Sequence, residues 1–194
     1  GSEIETKRWD SAVKLGYLFP QYPYKSFGLQ ASFSRHDQEA YYGLRNYDII
    51  HQSFFGNLLF NSIFNNTTNK FKSGLNYTLD KYDENIDNQN YIRTDKNIGM
   101  FFEWSHDDLE KLSWTAGIRL DFNNNIGTFF TPRLHLRYSF NPSTTIRLSS
   151  GSGRKAANIF AENQSLFATN RRIIINKNNN SFYGLLPERA WNYG

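Results

Sequence analysis

The sequence predicts an all-β protein, an antiparallel up-and-down meander that is a fragment of a large transmembrane β-barrel. Three observations support this: apolar and polar side chains alternate along several segments, aromatic residues make up 17% of the chain, and short and long connections alternate. Because successive side chains of a strand point to opposite faces, the alternation produces one apolar and one polar sheet face. In a transmembrane barrel these faces meet lipid and a polar interior.

The clearest alternation lies between residues 111 and 140. Every second position from Leu112 to Phe122 is apolar or aromatic, and the same period returns from Leu134 to Phe140. Polar or charged side chains fill most of the intervening positions, among them Ser113, Thr115, Arg119, Asp121, Arg133, His135 and Arg137. We expect the two apolar sets to share one face of a sheet and the charged set to lie on the other.

Nine strands are expected in order, at residues 9–19, 26–35, 51–64, 70–81, 97–105, 111–122, 131–140, 144–152 and from about 189. Parity places Phe27, Leu75 and Ile98 on the apolar face of the second, fourth and fifth strands. Phe101 breaks the alternation of the fifth strand. Two competing apolar sets leave the register of strand 51–64 open.

The expected connections fall into two classes that alternate. The short ones, 20–25, 65–69, 106–110 and 141–143, are rich in the Pro, Asn, Asp and Ser of turns. The longer ones are 36–50, 82–96, 123–130 and 153–188. We expect the two classes to lie at opposite ends of the sheet, as the periplasmic turns and extracellular loops of outer-membrane barrels do.

Composition excludes several other classes of protein. No apolar run reaches the roughly 18 residues of a transmembrane helix, and mean hydropathy is −0.65. Lys and Arg number 22 against 18 Asp and Glu, without the concentrated basic stripe typical of nucleic-acid binding. The absence of cysteine excludes disulfides and thiolate metal sites.

A set of motifs resembles the barrel region of TonB-dependent outer-membrane receptors of the Bacteroides type. The motifs follow family order along nearly the whole chain: LGYLFP at 15–20, FFGNLLF at 54–60, KFKSGLNY at 70–77, AGIRLDF at 116–122, TPRLHLRY at 131–138, TTIRLSSGSGRKAANIFAEN at 144–163 and PERAWNY at 187–193. No single motif is decisive, but their ordered combination is specific.

The resemblance implies a barrel of roughly 22 strands filled by an N-terminal plug. It implies TonB-driven uptake of a siderophore-iron, haem or cobalamin class nutrient across the bacterial outer membrane. Residues 1–194 would then be a partial barrel region without plug or closing strand, with residues 1–2 a cloning remnant. The implied partners are membrane lipid, the plug, the TonB complex and a small nutrient ligand. A passive porin-like or adhesin barrel and a soluble all-β binding module stay open as alternatives.

Two segments are candidates for ligand binding. The first carries Tyr41, Tyr42, Arg45 and Tyr47, residue types enriched in binding surfaces. An aromatic cluster that stabilises the strand ends is the alternative for these residues. The second, 153–170, has helical composition, contains Arg154, Asn158 and Glu162, and is expected to fold over the barrel mouth.

The polar face supplies a third candidate surface, a basic wall. Its members are Arg119, Asp121, Arg133, His135, Arg137 and Arg147. Such a wall would dock an acidic plug surface or guide an anionic ligand, or it would be neutralised by local ion pairs.

No cofactor, metal or catalytic constellation is predicted. The four histidines are scattered and form no HExxH motif, and no nucleophile elbow is present. We therefore expect no enzyme. The acidic stretch Asp80, Asp83, Glu84 and Asp87 leaves calcium binding open beside a solvated acidic loop.

Overall fold

The computed structural model describes residues 1–108, 110–156, 158–163, 167 and 185–194, and these form one antiparallel sheet of nine sequentially ordered strands. The strands are β1 Ser2–Phe19, β2 Tyr22–Tyr42, β3 Arg45–Phe64, β4 Asn66–Ile86, β5 Gln89–Asp107, β6 Leu112–Asn123, β7 Gly127–Asn141, β8 Thr144–Lys155 and β9 Glu188–Tyr193, with a short helix, α1 Ile159–Glu162, after β8. The predicted all-β meander is confirmed. No helix in the described ranges is long and apolar enough to cross a membrane.

Most of the expected connections are shorter in the structure. Segments 36–50 and 82–96 are mostly strand, because β2 and β3 meet at Gly43 and Leu44, and β4 and β5 meet at Asp87 and Asn88. Gly43, Asp87 and Asn88 have φ of 66°, 49° and 65°, the left-handed values of tight hairpin turns. Segment 123–130 likewise reduces to a turn at 124–126, and residues 153–155 belong to β8.

Each turn lies at the end of the sheet where it was expected. Consecutive antiparallel strands place turns 43–44, 87–88 and 124–126 at one end, here called the tip end. The turns at 20–21, 65 and 142–143 and the connection between β5 and β6 lie at the other, the base end. The strands run on past the predicted tip-end boundaries because ladder hydrogen bonds need paired backbone, not apolar side chains.

One face of the sheet is continuously apolar. A row of directly paired residues crosses six strands at its middle: Leu15, Leu29, Leu58, Leu75, Met100 and Leu120. Further along, Trp114 pairs with Leu136 and Leu112 with Tyr138, while Arg137 faces Ser113 on the opposite, polar face. The predicted separation of apolar and charged sets is confirmed.

The register of β3 is settled by its neighbours. Leu58 pairs with Leu29 and so lies on the apolar face, which puts Phe55 and Leu59 on the polar face. Phe101 also lies on the polar face, directly opposite Gly74. A Cβ on Gly74 would lie 2.7 Å from the Phe101 ring, so the glycine makes room for the residue that breaks the alternation.

Aromatic side chains border the apolar face at the base end. Trp104 and Trp114 lie 4.8 Å apart between ring centroids, and Tyr138 and Phe140 lie at the same separation. Phe64 stacks on Phe71 at 4.5 Å. Such a border is typical of the membrane–water interface of β-barrels.

Candidate functional site on the polar face

Polar side chains in the middle of the polar face form a hydrogen-bonded group, here called the central network. The guanidinium of Arg119 donates to Asp121 Oδ1 at 2.6 Å and to Asn76 Oδ1 at 2.9 Å. Asn97 donates to the same Asp121 oxygen at 2.7 Å. Asp121 is only 2% exposed. The Arg119 and Asp121 charges therefore neutralise each other within the sheet.

Arg133 has a carboxylate partner as well. It donates to Glu103, which lies two strands away on β5. Its side chain lies over Gly117, where a Cβ would come within 2.8 Å of Arg133 Nε. Local ion pairs therefore neutralise part of the predicted basic wall, which is one of the alternatives given for it above.

Two arginines nearer the base end are arranged differently. Arg137 and Arg147 are directly opposite each other in the β7–β8 ladder, and His135 faces Ser149 beside them. A cleft of about 340 Å³ runs along these side chains. Among the described residues neither arginine has an ion-pair partner. Like charges in opposite positions repel, so this basic pair suits an anionic group supplied from outside the sheet.

At the tip end Phe160 and Phe167, which follow β8 in the chain, pack on the polar face. Phe160 is fully buried and Phe167 is 2% exposed. The Phe167 ring stacks on Tyr47 at 4.8 Å and on Tyr42 at 5.4 Å, while further contacts join Phe160 to Tyr91. These five residues form the aromatic cluster, which ties β2, β3 and β5 to the segment beyond β8.

Two of the four candidate residues at 41–47 are buried, so they do not form an exposed binding surface here. Tyr47 is 3% exposed and Arg45 is 8% exposed, because the segment beyond β8 packs against this region. The Tyr47 hydroxyl donates to buried Glu84 at 3.1 Å. Tyr41 lies on the other face and donates to Glu3 at 3.0 Å. The structure agrees with the alternative of a stabilising aromatic cluster.

The second candidate segment carries a local ion pair. Lys155 Nζ lies 2.5 Å from Glu162 Oε1, and this hydrogen bond lowers the pKa of Glu162 and raises the pKa of Lys155. The Arg154 guanidinium lies 5.3 Å from the centre of the Phe129 ring. The carbonyl of Asn158 accepts the Glu162 amide at 3.1 Å. Ligand binding by these residues stays a prediction.

A polar group that the sequence pattern did not predict lies between the central network and the aromatic cluster. His51 Nε2 lies 3.0 Å from Asp80 Oδ1, and the His51 ring stacks on Tyr82 at 4.2 Å. The Arg93 guanidinium lies over the Tyr82 ring, 4.0 Å from its centre, and Arg93 Nε lies 3.3 Å from Asp95. Tyr82, Arg93 and Asp95 lie in 82–96, a mostly polar segment that was expected to be a loop.

The acidic stretch divides between the faces. Asp80 and Glu84 lie on the polar face, whereas Asp83 points to the other face and Asp87 lies in the tip-end turn beside Arg45. Within the part of the chain that the structure describes, no three acidic or histidine side chains converge as a metal site.

The sequence of residues 3–194 matches the model of the family described as TonB dependent receptor-like, beta-barrel. No curated protein matches the chain.

Several solved structures share its fold. A siderophore receptor from Pseudomonas aeruginosa aligns with 99% of the chain at a TM-score of 0.67 and 12% identity. The alcaligin outer membrane receptor from Bordetella pertussis aligns with 81% at 0.61 and 16% identity, and a ferric enterobactin receptor mutant from Pseudomonas aeruginosa with 82% at 0.54 and 13% identity. The chain covers 36%, 30% and 34% of these three proteins, respectively.

Proposed function

Because the chain belongs to the TonB-dependent receptor β-barrel family, whose members lie in the outer membrane, we propose that it is part of a receptor for energised nutrient uptake. The observation that carries the proposal is a nine-strand meander with one continuous apolar face, matched by the family over residues 3–194. The apolar face would contact lipid and the polar face would line the lumen. The role is binding and transport rather than catalysis.

The nutrient we propose first is an iron–siderophore complex. Three structural neighbours are receptors for siderophores or their iron complexes. Haem and cobalamin are the other ligand classes that the sequence resemblance supports, and the ordered motifs also support membership of the Bacteroides type. In the complete receptor the remaining partners would be a plug domain and the inner-membrane TonB complex.

The polar face has two functions in this proposal. The central network and the Arg133–Glu103 pair hold the lumen wall together with charges that are already neutralised. The basic pair Arg137 and Arg147, with His135, would receive carboxylates of the plug, since it lacks anionic partners among the described residues.

Uptake by the full-length receptor tests the function. Cells depleted of iron and expressing the receptor would be given radiolabelled ferric siderophore, haem or cobalamin, with and without a functional TonB complex. We expect saturable accumulation of one ligand that disappears when TonB is removed. Accumulation that is linear in concentration and independent of TonB would instead identify a passive porin-like barrel.

A variant pair tests the basic pair within the same assay. Replacing both Arg137 and Arg147 by Gln should reduce uptake or loosen the plug, because the plug carboxylates lose their partners. Replacing the exposed Arg8 of β1, which is bonded to Asp10 at 2.8 Å, by Gln is the control and should leave uptake unchanged. Normal uptake and normal plug protection from protease in the double variant would contradict this role.

A further inference from the structure

The border of the apolar face is chemically different at its two ends. At the base end the border is aromatic, with Trp104, Trp114 and Phe140. Toward the tip end, the first polar residues on this face of β2, β3 and β4 are Arg35, Gln52 and Lys81. These three residues are paired in one row. On β5 the corresponding residue is Lys96, opposite Leu79.

Two of these cations, Lys81 and Lys96, lie side by side. Lys81 is paired with Thr94, so Lys96, two residues along β5 on the same face, is its diagonal neighbour. Both side chains are exposed. Arg35 is bonded to Asp37 at 3.0 Å, whereas neither lysine forms an ion pair with any residue in the described ranges. Asp83, the next residue along that face of β4, makes no ion pair with Lys81 there either.

The two lysines sit where apolar surface gives way to polar surface. Leu79 precedes Lys81 and Ile98 follows Lys96, each two residues nearer the middle of the sheet on the same face. Leu75 and Met100 continue the apolar surface in that direction. A lysine at such an edge lays its alkyl stem along apolar surface and extends its ammonium group into the headgroup region. The anions available at that depth in a bilayer are lipid phosphates.

We propose that Lys81 and Lys96 bind the phosphate group of an anionic lipid whose acyl chains lie against Leu79, Ile98 and the apolar surface below them. The occupant is a lipid rather than a free phosphate ion because the cations and the apolar surface are continuous on one face. The site is independent of the nutrient path, since it lies on the face opposite the central network.

Lipid binding by the full-length receptor tests this site. The receptor, purified in a non-ionic detergent, is titrated with dioleoyl phosphatidic acid and bound lipid is counted by native mass spectrometry. The double variant Lys81→Gln/Lys96→Gln should bind phosphatidic acid more weakly by on the order of 30-fold, about fivefold per lysine. Lys72→Gln is the matched control, because Lys72 lies on the polar face of the same strand, and it should bind as the wild type does.

Further arms separate the possible outcomes. Lys81→Arg/Lys96→Arg keeps both charges and should restore binding, whereas phosphatidylcholine should bind equally to all variants. Heat-modifiability of the barrel shows that each variant is folded, and the single variants replace the double variant if it is not. Equal phosphatidic acid affinity in wild type and double variant would overturn the proposal, as would an equal loss in Lys72→Gln. Competition by millimolar inorganic phosphate would assign the site to the free ion and also overturn it.

Discussion

Gly99 holds the central network in place by having no side chain. A Cβ at this position would lie 2.6 Å from Asp121 Oδ1 and would also collide with Arg119 and Asn76. We expect Gly99→Ala to break buried charged hydrogen bonds and to lower the unfolding free energy of the barrel by about 1–3 kcal/mol. Urea titration of the full-length receptor, followed by heat-modifiability, measures this change.

Gly56→Ala is the control for that substitution. A Cβ on Gly56 would meet only the Phe54 ring, at 3.5 Å, which is ordinary van der Waals contact. Equal destabilisation by both alanines would mean that strand glycines matter here for some reason other than the network.

Parity correctly predicted the face of each charged residue in the basic wall, but it could not predict their partners. Arg119 and Asp121 lie two residues apart on one strand, so their pairing was within reach of the pattern. Asn76 and Glu103 come from other strands, and their positions depend on the length of each hairpin. Hairpins were predicted too short wherever polar residues continue a strand. For the same reason the sequence did not predict the group around His51 and Asp95.

At the scale of single elements, Asp108 organises the turn between β5 and β6. Its Oδ1 accepts the backbone N–H groups of Glu110, Lys111 and Leu112 at 2.9, 2.8 and 2.9 Å. These backbone bonds, first of all that from Leu112, lower the pKa of the Asp108 carboxyl below its ordinary 3.8. A carboxyl whose pKa is lower in the folded state stabilises that state above its unfolded pKa and stops doing so as pH falls through the folded value.

We therefore expect the backbone amides of Glu110 to Leu112 to be equally protected from hydrogen exchange at about pH 5 and about pH 8. They should lose this protection only below about pH 4. Hydrogen exchange of the peptide containing Glu110 to Leu112, compared between wild type and Asp108→Ala at each pH, measures this. The two proteins should differ strongly at neutral pH and converge in acid. A constant difference down to pH 2 would show that the carboxylate charge has no part in the turn.

Phe160 anchors the segment beyond β8 to the sheet. Its side chain is fully buried among Tyr47, Tyr91 and Phe167, so Phe160→Ala should cost about 3–5 kcal/mol of local stability. Hydrogen exchange in 158–163 and in the tip end of β5 should accelerate, while the base end stays protected.

Leu186→Ala serves as the control for the anchor, because Leu186 lies in the same connection and is 86% exposed. It should leave exchange unchanged. Unaltered protection of 158–163 in Phe160→Ala would show that the anchor lies elsewhere in the connection.

At the scale of the whole molecule, the separation of an apolar from a polar face predicts which side of the sheet meets the membrane. Leu29 lies in the middle row of the apolar face, paired with Leu15 and Leu58, and the next residue, Gln30, lies on the polar face. We expect Leu29→Arg to lower barrel stability in lipid vesicles by about 2–4 kcal/mol, because arginine near the bilayer midplane is costly. Gln30→Arg should have a much smaller effect.

Urea-dependent refolding of the full-length receptor into vesicles compares the two variants. Both introduce the same side chain at adjacent positions of one strand, so a difference reports the face alone. Equal destabilisation by the two arginines would be incompatible with a lipid-facing and a lumen-facing side.

The length of β2 to β5 has a consequence for life at the cell surface. Each has 19 to 21 residues. A strand of about 20 residues tilted by about 40° rises roughly 50 Å, twice the height of a ~25 Å lipid-facing band. In the orientation predicted from the sequence, with the tip end outside the cell, the half beyond the lipid is a paired ladder capped by tight turns, with Leu44 98% exposed at one of them. Proteases need a segment of several residues that can unfold locally. On intact cells we therefore expect these four strands to be cleaved only at their tips.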